Sequence, residues 1–83
     1  MIRKDILIRN PSVLDLQNAA LLAQVASAFR SKIYIEYGNK KANAKSHMGL
    51  LTLNVKPGTA LKVIADGEDC LSAMQAVEKH LSR

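Results

Sequence analysis

The sequence predicts an α+β fold, with four antiparallel strands in one sheet and three helices on one face, in the order βαββαβα. Two observations predict it. Three short stretches, "KDILIR", "KIYIEY" and "ALKVIAD", alternate apolar and polar residues with period two. Two longer stretches, residues 14–29 and 69–81, space their apolar residues by three and four, the pattern of a helix that buries one face. A chain of 83 residues suffices for one small domain and not for two, so residues 1–83 are expected to share one core.

In "KDILIR" Ile6 and Ile8 oppose Leu7, which sets the isoleucines toward a core. "NPS" ends this strand, because Pro11 has no N–H to give a ladder. In the first helix Leu16, Ala19, Ala20, Ala23 and Ala26 or Ser27 form the expected buried face, with Leu22 and Phe29 beside it. The alanines let this helix lie close to a sheet. "KIYIEY" sets Ile33 and Ile35 against Tyr34 and Glu36. "GNKK" predicts a hairpin turn, because Gly38 and Asn39 tolerate positive φ, and "KANAK" the returning strand. Ser46 is placed to cap a short helix within "SHMGLLTLNV", whose apolar face holds Met48 and Leu51 with Leu50. "KPGT" turns the chain into "ALKVIAD", where Leu61, Val63 and Ala65 share a side. After "GED", Asp69 stands as an N-cap, and Leu71, Met74, Val77 and Leu81 mark the last helix. A ferredoxin-like fold shares the first six elements, so element order alone leaves that alternative open.

Composition narrows the function. With only Phe29, Tyr34 and Tyr37 as aromatics, the core must be aliphatic. Cys70 is the only cysteine, which excludes an internal disulfide and points to a reducing compartment. No apolar run approaches a membrane span, and the first ten residues lack a signal-peptide core, so a cytoplasmic location is expected. The net charge of +5 comes from scattered residues, and the densest basic stretch, "GNKKANAKS", has no interleaved aromatics to stack on bases. A solvated surface is the expectation, without direct nucleic-acid or membrane binding. There is no Cys/His cluster with zinc spacing, no P-loop, no dinucleotide glycine pattern and no Ser-His-Asp set. Glu68 and Asp69 are adjacent, so they point apart and make a poor acid/base pair. No cofactor or metal and no enzyme activity are expected.

The stretch "NAKSHMGLL", followed by "PGT" and "GED", resembles the HPr family, the histidine-containing phosphocarrier proteins of the bacterial sugar phosphotransferase system. The family's open-faced sandwich has the element order derived above. Asn43, Lys45, Ser46, Met48 and Gly49 are similar to its regulatory-serine motif. Gly67, Glu68, Asp69 and Ala73 resemble its junction between the fourth strand and the last helix, and Ala19, Ala26, Ser27 and Phe29 its first helix. The family's phosphocarrier motif reads Gly-(Leu or Ile)-His-Ala-Arg-Pro-Ala, whereas this chain has Val13-Leu14-Asp15-Leu16-Gln17-Asn18-Ala19. Asp15 replaces the phosphohistidine, Gln17 the arginine and Asn18 the proline, so no catalytic residue is assigned. Asp15 has three readings: a helix cap, a fixed imitation of the phosphate's charge, or a carboxylate that accepts the phosphoryl group as an acyl phosphate.

The resemblance implies phosphorylation of Ser46 by HPr kinase/phosphorylase. Asp15, Gln17, Ala20, Lys45, His47, Met48 and Leu51 are the residues it implies for partner docking. His47 stands where the family commonly has an aliphatic residue, and reads as a solvated side chain that changes partner choice or makes docking pH-sensitive. His80 reads as a dipole partner at a helix C-terminus, and Cys70 as a small first-turn residue. A Crh-like paralogue without the carrier histidine is implied, a regulatory protein in carbon catabolite control. Its serine-phosphorylated form would bind a LacI-type transcription regulator similar to catabolite control protein A. The alternatives are a decoy or modulator of phosphotransferase-system partners, and a carrier that uses Asp15. Either a monomer or a homodimer fits.

Overall fold

In the strands, period-two alternation decides which face of the sheet is covered. The computed structural model describes residues 1–83. Strands β1 (Ile2–Ile8), β2 (Lys32–Tyr37), β3 (Lys40–Asn43) and β4 (Thr59–Asp66) form one antiparallel sheet in the order β1-β4-β2-β3. The register sets Ile6 opposite Leu61, Ile33 opposite Ala65, and Ile35 between Val63 and Ala42. These residues and Ile8 are all buried, on the face that carries the helices. The opposite face is uncovered and charged. Lys62 lies between Asp5 and Glu36, Glu36 also faces Lys41, and Lys32 faces Asp66. The Lys41 ammonium lies 4.5 Å from the centre of the Tyr34 ring.

The covering layer consists of α1 (Leu16–Ser27), α2 (His47–Leu51) and α3 (Cys70–Leu81). Helix α1 buries Ala19, Leu22, Ala23 and Ala26. Helix α3 buries Ala73, Met74, Val77, His80 and Leu81. No helix is long and apolar enough to cross a membrane. Two leucines expected in the core are on the surface, Leu16 at 68% exposure and Leu71 at 63%. At about 100° per residue, Leu71 lies about 120° from the centre of the buried face of α3. Leu16 opens α1 about 70° off its buried face, where the helix overhangs the core. In α2 it is Leu50 that reaches the core, while Leu51 is half-buried and Met48 exposed. In the β2–β3 hairpin only Gly38 has positive φ (61°), so Asn39 does not share it, and the turn has the type II′ pattern.

"NPS" is a 3₁₀ turn over Pro11–Leu14 rather than a simple break. Asn10 Oδ1 caps it by accepting from the Ser12 N–H (3.1 Å) and the Ser12 hydroxyl (2.7 Å). His80 holds the turn from below. It lies in the last turn of α3, as expected, but its imidazole is buried at the core side of the helix. Nε2 lies 2.9 Å from the Val13 carbonyl oxygen, which can only accept, so Nε2 carries the proton. Nδ1 is buried without a partner.

The corner between α1 and β2 is fixed by a residue expected to do something else. Asp69 occupies the N-cap position of α3 but makes no side-chain cap bond there. Its carboxylate instead reaches the corner, accepting from the Arg30 N–H (2.9 Å), the Ser31 N–H (2.9 Å) and the Ser31 hydroxyl (2.5 Å). Ser31 is fully buried. Gly67 packs so tightly on it that a Cβ would lie 2.6 Å from Ser31 Oγ and 2.7 Å from Ser31 Cα. From the other side, the Lys45 ammonium donates to the Phe29 carbonyl at 2.7 Å. Phe29, Arg30 and Ser31 are thus held by two chain segments distant in sequence.

The Ser31 hydroxyl, followed by the Arg30 amide, holds the Asp69 carboxyl at about 2, against an ordinary 3.8. A carboxylate whose pKa is lower in the folded than in the unfolded chain stabilises the fold above the unfolded pKa. That contribution is lost as pH falls from about 3.8 to about 2. Asp69→Asn should therefore be less stable than the parent at pH 7, and the difference should shrink on acidification through that window. Urea melts at pH 7, 4 and 2 check this, and a difference that is constant with pH would show that the carboxylate's charge does not hold the corner.

Candidate functional site

Asp15 is placed by the 3₁₀ turn that precedes it. Its N–H donates to the Ser12 carbonyl (3.1 Å), and its own carbonyl accepts the first α1 bond, from Ala19 (2.8 Å). With φ −68° and ψ 178° it is the N-cap of α1. Its Oδ1 accepts from the Asn18 N–H at 2.8 Å. The Asn18 side-chain amide donates back to the Ser12 carbonyl at 2.8 Å. Asp15 and Gln17 are both exposed, and neither of the two ion pairs, Lys4–Glu78 and the N-terminus–Asp66, brings a cation to Asp15.

His47 lies close to this segment. It is half-buried on α2, and its Nε2 sits 2.9 Å from the Leu16 carbonyl oxygen, so it too carries its proton on Nε2. His47 thus keeps part of its surface in solvent while adding a backbone contact that the sequence did not signal. The two histidines thus bracket residue 15, with His80 on the Val13 carbonyl and His47 on the Leu16 carbonyl. Each uses Nε2 to hold backbone, and neither offers that nitrogen to a phosphoryl group.

Ser46 is the N-cap of α2, and its Oγ accepts from the Gly49 N–H at 3.1 Å. Gly49 permits this approach, since a Cβ there would lie 3.2 Å from Ser46 Oγ. The backbone entering the cap is fixed by Asn43, whose Oδ1 accepts from the Lys45 N–H and whose carbonyl accepts from the Ser46 N–H, both at 2.9 Å. Lys45 does not point its charge at Ser46; its ammonium is on Phe29. Ala20, Ala23, Gln24 and Ser27 of α1 face Lys45 and His47 across a shallow groove. Met48 is 73% exposed and Leu51 half-buried on the neighbouring helix. The structure therefore brings Ala20, Lys45 and His47 into one groove and leaves Met48 and Leu16 as exposed apolar groups on α2 and α1. The Lys45–Phe29 contact and both histidine contacts were not foreseen from the sequence. Each joins residues far apart in the chain to a backbone carbonyl, which carries no side-chain signal.

The family profile described as "PTS HPr component phosphorylation site" matches residues 2–83. The chain belongs to the HPr family. It is 39% identical over 77 residues to the HPr-like protein Crh of Halalkalibacterium halodurans, covering 93% of this chain and 92% of that one. It is 37% identical over 81 residues to the HPr-like protein Crh of Bacillus subtilis, covering 98% and 95%. A crystal structure of that second Crh, a domain-swapped, intertwined dimer, matches with a TM-score of 0.79 at 36% identity over 99% of this chain and 94% of that one. The structure of HPr-C-His from Thermoanaerobacter tengcongensis matches with a TM-score of 0.90 at 40% identity, over 99% and 92%. The fold is thus the HPr open-faced sandwich, and the ferredoxin-like alternative falls.

Within this HPr-family chain, two departures from the phosphocarrier motif are a single structural change. The motif's proline has no N–H, whereas Asn18 provides the amide that the Asp15 carboxylate accepts. Asp15→Ala should cost about 0.5–2 kcal/mol, and Asp15→Asn much less, since asparagine still accepts the bond. In an Asn18→Pro background Asp15→Ala should cost close to nothing. A double-mutant cycle by urea denaturation measures the coupling, and additive costs would show that Asp15 acts through some other contact.

Proposed function

We propose that this HPr-like chain is a non-carrier regulatory protein that signals through phosphorylation of Ser46 and docks a transcription regulator in carbon catabolite control. The observation that carries this reading is the contrast between two helix caps. At the first, the histidine is replaced by a carboxylate engaged with the Asn18 amide, with no cation in place of the missing arginine. At the second, the Ser46 hydroxyl accepts from the Gly49 amide after a turn fixed by Asn43, in the stretch whose sequence resembles the family's regulatory-serine motif. HPr kinase/phosphorylase would transfer the γ-phosphoryl group of ATP to Ser46 Oγ, releasing ADP and the hydroxyl proton. The added charge sits at the amino end of α2, where free N–H groups and the helix dipole favour it, so the fold should persist. The groove between α1 and α2, with exposed Met48 and Leu16 near it, supplies the apolar part of the docking surface. A LacI-type regulator similar to catabolite control protein A, with a basic group beside an apolar pocket, would read both. The likeness to Crh, whose structure is described as that of a catabolite repression protein, supports catabolite repression as the setting, and a single HPr-like domain in the cytoplasm is the form in which it would act.

Treatment with ATP and an HPr kinase should add one phosphate at Ser46, and Ser46→Ala should abolish it. The modified form should bind such a regulator about tenfold to a hundredfold more tightly, as expected for a charge-assisted contact of about 1.5–3 kcal/mol. Equal affinity of the two forms for every regulator tested would sink the proposal. Phosphoenolpyruvate and enzyme I should leave residue 15 unmodified, and an adduct there would favour the carrier reading.

A further inference from the structure

Lys45 is the one charged side chain that joins the Ser46 region to the far end of α1. Its backbone is fixed on both sides by Asn43, so the side chain alone is free to turn. Its ammonium makes no ion pair and rests on a neutral acceptor, the Phe29 carbonyl, at 2.7 Å. The turn it supports is closed by two i→i−3 bonds at the long end of the ordinary range. The Ala28 N–H reaches the Val25 carbonyl, and the Phe29 N–H the Ala26 carbonyl, both at 3.2 Å. Lys45 also lines the groove with Ser27 and Ala28, across the exit of α1.

We propose that Lys45 is a latch whose ammonium leaves the Phe29 carbonyl when Ser46 is phosphorylated, freeing the last turn of α1 and opening the groove at its Ala28 end. The inference rests on Ser46 being the modified residue. The bond to the Phe29 carbonyl already has an ionised donor, but a phosphate on the next residue is a dianion and adds an ion–ion attraction that the neutral carbonyl does not supply. Competition for the ammonium therefore favours the phosphate. Arg30 and Ser31 remain held by Asp69, and His47 stays on the Leu16 carbonyl, so the change is confined to one end of the groove. A partner of the modified form then meets an altered shape along α1 as well as an added charge.

The full chain labelled with ¹³C and ¹⁵N provides the test. The Phe29 carbonyl shift is compared in the unmodified protein, in protein with phosphoserine incorporated at position 46 during translation, and in Lys45→Met with and without that phosphoserine. Phosphorylation should move the Phe29 carbonyl toward its position in unmodified Lys45→Met and should move it no further in the Lys45→Met background. Exchange of the Ala28 and Phe29 amides should accelerate about tenfold, the scale of a lost charge-assisted bond, while Arg30 and Ser31 stay protected. If the phosphoserine shifts Gly49 but leaves Phe29 and its exchange unchanged, the latch is wrong. Because the phosphoserine is incorporated directly, a kinase that fails to modify Ser46 counts against the proposed function and leaves this test intact.

Discussion

The three hydrogen bonds accepted by Asp69 carry the β2–β4 pairing past the end of the sheet and into the corner where α1 stops. The sheet aligns four strands, and the helices cover it through small and aliphatic side chains, but nothing in that packing fixes where α1 stops. The Asp69 carboxylate does, by taking the Arg30 and Ser31 amides and the Ser31 hydroxyl at the corner where α1 gives way to β2. Gly67 closes the same corner by contact with Ser31 that leaves no space for a side chain. With the carboxyl end of α1 anchored there, its amino end is placed over the 3₁₀ turn, and Asp15 takes its position at the surface. Lys45 adds a second hold on this corner from the segment that leads into α2.

At the amino end of α1, backbone geometry persists where the chemistry of the wider family has been replaced. The carboxylate at residue 15 and the amide at residue 18 form a cap that a histidine–proline pair would not form in this way. Two imidazoles reach the backbone beside position 15, at Val13 and Leu16, but each is engaged by a backbone carbonyl. Imidazole near a site is therefore no substitute for imidazole at it. The same economy appears at α2, where the single hydroxyl of Ser46 satisfies the Gly49 amide and remains half-buried at the rim of the groove.

Strands were legible because period-two alternation maps directly onto the two faces of a sheet, and Ile6, Ile33, Ile35, Leu61 and Val63 all lie where alternation places them. Helix faces were legible in their middles and not at their starts. Leu16 and Leu71 sit in first turns, where an apolar residue can overhang the core instead of entering it. Ser46 as a cap was readable from residue type and position, and so was Asp15. Asp69 was misread for an informative reason: an acidic residue before a helix satisfies the local capping rule equally well when its oxygens are taken by a loop 38 residues away. His80 and Lys45 likewise obey local rules for a helix end and a basic surface, while their contacts are set by tertiary packing that no local pattern encodes.

If residues 15, 17 and 18 alone separate this helix end from carrier chemistry, restoring the motif there should restore phosphoryl transfer. A combined Asp15→His, Gln17→Arg and Asn18→Pro variant, incubated with phosphoenolpyruvate and enzyme I, tests it most directly. One acid-labile phosphoryl group on residue 15 of a folded protein is the expected result. A variant that folds as the parent does and yet takes up no phosphate would contradict it, placing the loss of carrier function elsewhere on the surface.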